Sequence, residues 1–169
     1  AAIRALEYAC EAARICNEPV PEIWKEVGKG IRILRFKDGV TREHATYNGE
    51  MIKQADVNLL GYPLYFVGDA ESQKKDMEYY VDKIDPQNGP AMSYSVFCVQ
   101  YARMGDAKRA YEMFCRCYQP NLRAPFGVLA ETPTSDNPYF MTGAGGLLQA
   151  VINGFCGLQI TDGGVEQLS

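Results

Sequence analysis

Residues 91–118, AMSYSVFCVQYARMGDAKRAYEMFCRCY, are the stretch on which the fold turns. Residues 91–104 are apolar around most of a helical circumference, which predicts a buried helix. Gly105-Asp106 makes a tight joint, and residues 107–118 predict a second helix lying antiparallel to the first. One α-hairpin is therefore written into 28 consecutive residues.

The same grammar extends in both directions. Residues 1–16 carry Ile3, Leu6, Ala9, Cys10 and Ala13 at three- and four-residue spacing, an amphipathic helix stopped by Asn17-Glu18-Pro19. Pro21 opens a second helix in its first turn, where a missing N–H costs nothing. Residues 36–50 form a polar connection with turn signals at Asp38-Gly39 and Asn48-Gly49. Helix is expected again over 52–60, ending before Pro63, and over 72–81 with Ser72 as its cap. Beyond the central hairpin comes a long glycine- and proline-bearing connection, 119–142, and a short apolar helix, 146–155. Residues 157–168 predict a β-hairpin around Asp162-Gly163-Gly164. Helical pairs joined by alternately short and long connections make a mainly α fold of stacked helical hairpins, with function expected in loops 36–52 and 119–142.

With 169 residues, 47% of them apolar, the chain can bury a sizeable core. Its net charge of −4 and scattered basic residues argue against a nucleic-acid partner. No apolar run approaches a membrane span, and no basic amphipathic stretch suggests a membrane surface. No secretory signal is expected in the first residues. Residues 1–6 read as the middle of a helix without a cap, and so as a piece of a larger protein. The six cysteines are expected to be buried free thiols, with bridges as the alternative; Cys115-Arg116-Cys117 lacks a zinc-knuckle gap and His44 is the only histidine. No metal or cofactor is expected, and the thiols leave the compartment unassigned.

Two loops hold the candidate chemistry. In residues 48–64, Lys53 and Gln54 offer an ammonium and an amide, the groups that sugar hydroxyls need. In 119–142, Glu131 follows apolar Val128 and Leu129 on a segment stiffened by Pro125, Pro133 and Pro138. It reads either as a general base with raised proton affinity or as a solvated loop glutamate. Thr142-Gly143-Ala144-Gly145-Gly146 could cradle an anion ahead of a helix, or serve close backbone packing. Tyr139 and Phe140 could form a sugar platform or belong to the core.

Four stretches together, GEMIKQADVNLLGYPL (49–64), GPAMSYSVF (89–97), PFGVLAETPTSDNPYFMTGAGGLLQAVINGF (125–155) and GLQITDGGV (157–165), resemble glycoside hydrolase family 65. The family comprises inverting enzymes acting on α-glucosides, hydrolases and phosphorylases alike, built on an (α/α)6 barrel. The resemblance implies that residues 1–156 are the C-terminal half of that catalytic barrel, with the rest of the barrel as partner, and that 157–169 begin a C-terminal β domain. It implies that Lys53 and Gln54 hold glucose hydroxyls and that Glu131 is the general base on the attacking water. The general acid is implied to lie shortly before residue 1, so the 169-residue chain is expected to be inactive alone. A small-molecule α-glucoside, such as kojibiose or trehalose, is the implied substrate. Glu131 would repel phosphate, and no lysine or arginine follows Arg123, so hydrolase is favoured over phosphorylase. A non-catalytic helical interaction module is the remaining alternative, though no repeat period supports it.

Overall fold

The computed structural model describes residues 1–54, 56–66, 69–137 and 139–168. They form two units, Ala1–Ala45 and Thr46–Ser169. In the first, α1 (Ala2–Ile15) and α2 (Glu22–Gly30) make a helical pair in which Leu6 packs over Gly28. The α1 helix stops where Asn17 turns left-handed at φ 57°, letting the Glu18 N–H reach the Ala13 carbonyl at 2.8 Å. Pro21 sits one position earlier than expected: it is the N-cap of α2, and its carbonyl accepts the Trp24 N–H. The turn foreseen at Asp38-Gly39 is the tip of a small loop-back. Gly39 has φ 93°, Asp38 accepts the Val40 N–H at 3.1 Å, and Arg35 bridges Thr41.

The second unit opens differently from expectation. Residues 52–60 are not a continuous helix; only Val57–Leu60 forms a 3-10 turn. Ile52 spends its backbone on a parallel bridge to Ile84, donating to the Lys83 carbonyl and accepting from the Asp85 N–H, both at 2.8 Å. Those groups are then lost to any helical ladder, so Lys53 and Gln54 stand on a bend of a loop and not on a helix. The α3 helix (Ala70–Tyr80) is capped not by Ser72 but by Asp69, whose Oδ1 accepts the Ser72 N–H at 2.7 Å.

The central hairpin forms as expected, from α4 (Met92–Arg103) and α5 (Ala107–Arg116). Phe97, Cys98 and Val99 are fully enclosed on α4. Gly105 turns the chain at φ 76°, and Asp106 caps α5 through the Arg109 N–H at 3.0 Å. Arg109 lies over the Tyr101 ring and Arg116 over Tyr94, so the helices run antiparallel. Gln100, buried in the last turn of α4, accepts from Gln73 of α3 and donates to the Asn58 carbonyl. One amide thus ties two segments to the core helix.

After α5 the chain makes a 3-10 turn, Gln119–Asn121, and a two-rung hairpin of β1 (Leu122–Arg123) and β2 (Val128–Leu129). The final helix, α6 (Met141–Gln149), starts five residues before the expected 146 and runs directly into a π-helical segment, Ala150–Phe155. Its early start places the glycine run inside the helix, where it serves close packing and not as a loop around an anion. A Cβ on Gly146 would lie 2.6 Å from Ser95 Oγ, and one on Gly143 would lie 3.1 Å from Ala91 Cβ, so small residues let α6 approach α4. The C-terminal hairpin pairs β3 (Leu158–Thr161) with β4 (Gly164–Gln167) in the register Leu158–Gln167 to Thr161–Gly164.

The thiols divide. Cys10, Cys98 and Cys117 are buried as expected, whereas Cys16 and Cys156 are exposed and Cys115 is half-buried. Among the described residues no helix is long and apolar enough to cross a membrane.

Candidate active site

Glu131 sits just past β2, where the hairpin strand turns back toward α4. Its peptide is held from two sides. The Ala91 N–H, at the start of α4, donates to the Glu131 carbonyl at 3.1 Å, and the Asn121 side-chain amide donates to the same oxygen at 3.0 Å. Downstream, Arg123 collects the carbonyls of Thr132, Pro133 and Ser135 at 3.2, 2.7 and 2.9 Å. Thr134 donates to the Gln87 carbonyl, joining this loop to the one that precedes α4. Pro125 lies in the hairpin and Pro133 in the arginine-held stretch; Pro138 lies outside the described residues.

That preceding loop, 81–91, also positions Lys53. Asp85 closes a tight turn, accepting the Gln87 and Asn88 N–H groups at 2.8 and 3.1 Å and the Asn88 amide at 3.0 Å. Asn88 and the two N–H groups hold the Asp85 carboxyl below its usual range. The N–H of Asp85 in turn anchors Ile52, one residue before Lys53. Gly89 packs against Ile84 and the Asp85 carbonyl, with the Lys53 carbonyl close by, a spot where a Cβ would collide.

The outcome is one contact between the two candidate loops: Lys53 Nζ donates to Glu131 Oε1 at 3.2 Å. Lys53 is 61% exposed and Glu131 34% exposed, so the carboxylate lies at a surface beside a cation, not in the apolar pocket its sequence neighbours suggested. Of those neighbours, Leu129 is itself buried and Val128 is half-buried. An exposed pair of this kind contributes about 0–1 kcal/mol, too little to explain the three-segment scaffold beneath it. Gln54 is half-buried and engaged locally, its Nε2 donating to Asp56 Oδ1 at 3.1 Å.

The aromatic pair splits. Tyr139 is 73% exposed with φ 63°, whereas Phe140 is half-buried, its N–H on the Leu129 carbonyl and its ring against Gly143. Sequence reasoning missed Asn121, Arg123 and Asp85. Each is a polar residue in a proline- or glycine-bearing connection, where the ordinary reading is a turn; their long-range backbone partners appear only in three dimensions. Chemically, the arrangement offers a fixed carboxylate that can take a proton, an ammonium that can donate to a hydroxyl, and a neighbouring amide.

The sequence is similar to that of known enzymes over almost its whole length. The kojibiose hydrolase of Mucilaginibacter mallensis is 47% identical over 163 residues, covering 96% of this chain and 24% of that protein. The kojibiose hydrolase of Flavobacterium johnsoniae is 46% identical over 168 residues, covering 99% of this chain and 25% of that protein. The protein-glucosylgalactosylhydroxylysine glucosidase of Dictyostelium discoideum is 37% identical over 166 residues, covering 95% of this chain and 23% of that protein. No family model matches the chain. It spans about a quarter of the length of the curated relatives it matches.

Proposed function

Because the chain belongs to glycoside hydrolase family 65, we propose that it carries the base side of an inverting α-glucosidase acting on small α-glucosides such as kojibiose or trehalose. The observation that carries this reading is the Lys53–Glu131 contact at 3.2 Å on a scaffold drawn from three loops. Lys53 and Gln54 hold glucose hydroxyls. Glu131 takes a proton from a water molecule as its oxygen attacks the anomeric carbon, on the face opposite the departing group. The bond from that carbon to the glycosidic oxygen breaks, and a second carboxylic acid gives the leaving oxygen its proton. An α-linked substrate so attacked releases β-glucose.

In this reading residues 1–156 are the C-terminal half of an (α/α)6 catalytic barrel, and the rest of that barrel is the chain's partner; residues 157–169 begin a β domain. Lys53 has two tasks at once. It holds the carboxylate near the sugar and donates its remaining N–H bonds to substrate.

A phosphorylase is the competing reading within the same family. It needs a seat for an anion where the water stands. Glu131 opposes an anion there, and Arg123, the last basic residue of the chain, is committed to backbone carbonyls. The deciding experiment gives the full gene product carrying this chain kojibiose, trehalose and maltose, each with and without phosphate. Glucose release indifferent to phosphate is expected, with the first product in the β form. Phosphate-dependent glucose 1-phosphate would transfer the protein to the phosphorylases, and no turnover of any α-glucoside would favour a non-catalytic helical module.

A further inference from the structure

We propose that Asn121 is the positioning residue of Glu131, setting the direction of the base through the two peptide planes that flank it; this rests on the reading of Glu131 as base. Asn121 is 2% exposed, and its side-chain NH2 donates to two consecutive carbonyls, Ala130 at 3.1 Å and Glu131 at 3.0 Å. The Ala130 carbonyl belongs to the plane before the Glu131 α-carbon and the Glu131 carbonyl to the plane after it. Peptide units are rigid, so fixing both planes fixes φ and ψ of Glu131 and with them the exit vector of its side chain. The Asn121 backbone closes the clamp, accepting the Ala130 N–H at 2.9 Å, while its own N–H is anchored on the Tyr118 carbonyl at the end of the core hairpin.

The division of labour with Arg123 is visible in the contacts. Arg123 holds the carbonyls from Thr132 onward, and Asn121 holds the two that orient the carboxylate. An amide is suited to this place. It presents two donors in one plane, carries no charge into a buried site, and both of its hydrogens find acceptors here.

Asn121→Asp keeps the shape and removes the donors, setting a carboxyl against two carbonyl oxygens. Asn121→Ser keeps one shorter donor. Both are compared with wild type and Glu131→Gln in the full gene product, using kcat, KM, a pH profile and thermal unfolding. The expected result is a kcat lowered about 100-fold in Asn121→Asp at unchanged KM, the scale of loss for a misplaced reacting group. Asn121→Ser is expected in between. The ratio of Asn121→Asp to wild-type kcat should rise as pH falls, because the protonated carboxyl regains a donor. Normal kcat in folded Asn121→Asp and Asn121→Ser would overturn the proposal while leaving Glu131 as base if Glu131→Gln is dead. An active Glu131→Gln would instead overturn the base reading and the proposal with it. Failure of both Asn121 variants to fold would make Asn121 a residue of the fold and overturn its positioning role.

Discussion

Lys53 and Glu131 are 78 residues apart in the chain and 3.2 Å apart in space, ammonium to carboxylate. Neither loop reaches the other by itself. Lys53 is delivered by the Ile52–Ile84 bridge and Glu131 by the clamp of Asn121 and the Ala91 N–H. The loop between α3 and α4 touches both, so the pair reports directly on whether that loop is in place.

Replacing Glu131 with glutamine should leave folding intact and lower kcat by about 10²–10⁴-fold, the range that general acid–base catalysis supplies. Glu131→Ala opens space for a small anion. Azide needs no deprotonation to attack the anomeric carbon, so added azide should restore turnover and yield β-glucosyl azide. Undiminished kcat in Glu131→Gln would remove the base from this position.

Lys53→Ala should raise KM and lower kcat together, since a contact to a sugar hydroxyl tightens as the ring approaches the transition state. Its effect on thermal stability should stay within about 1 kcal/mol, because the ammonium is largely solvated. A large stability loss with unaltered kinetics would make the lysine a structural residue.

Asp85 is the pH-sensitive part of the scaffold. The Asn88 amide and the Gln87 and Asn88 N–H groups depress its folded-state pKa below the ordinary value of 3.8. The stabilisation is therefore present above that value and is lost as pH falls through the lower, folded one. The stability gap between wild type and Asp85→Asn should be constant from neutral pH to about 5 and shrink below about 4. Unfolding curves across that range check it; a gap that does not change with acid would show that the carboxylate is not what the turn holds.

The thiols should react in two classes. Cys16 and Cys156 are exposed and should be alkylated quickly at pH 8. Cys98 and Cys117 are enclosed, and burial first, then the neighbouring thiols, pushes each up to about 12. They should label only on unfolding. Because their folded pKa values are raised, the stability tied to their neutral forms is intact below about 9 and is lost as pH climbs toward 12. Mass spectrometry of partly labelled protein separates the classes; early labelling of Cys98 would contradict its enclosure.

The helical pairs and the terminal β-hairpin were legible from residue order because they are local. Hydrophobic spacing over 91–118, the Gly105-Asp106 joint and the glycines near 163 act within a few residues of themselves. Element ends were less legible. Asp69 took the capping role expected of Ser72, and α6 absorbed its glycines because α4 lay close enough to need residues without a Cβ.

Residues 52–54 mark where local reading ended. Their composition suits a helix, yet Ile52 gives its backbone to residues 83–85, and only tertiary structure supplies that partner. The sequence by itself determined the helices other than the one expected over 52–60, the hairpin turns and the identity of the candidate groups Lys53, Gln54 and Glu131, since side-chain chemistry and short-range periodicity need no neighbours. Tertiary structure alone decided that Lys53 meets Glu131, that the carboxylate is partly exposed and not enclosed in apolar surroundings, and that Asn121 aims it. The reason is that hydrogen bonds to backbone carbonyls carry no sequence signature: every residue has one, and only the fold selects which are reached.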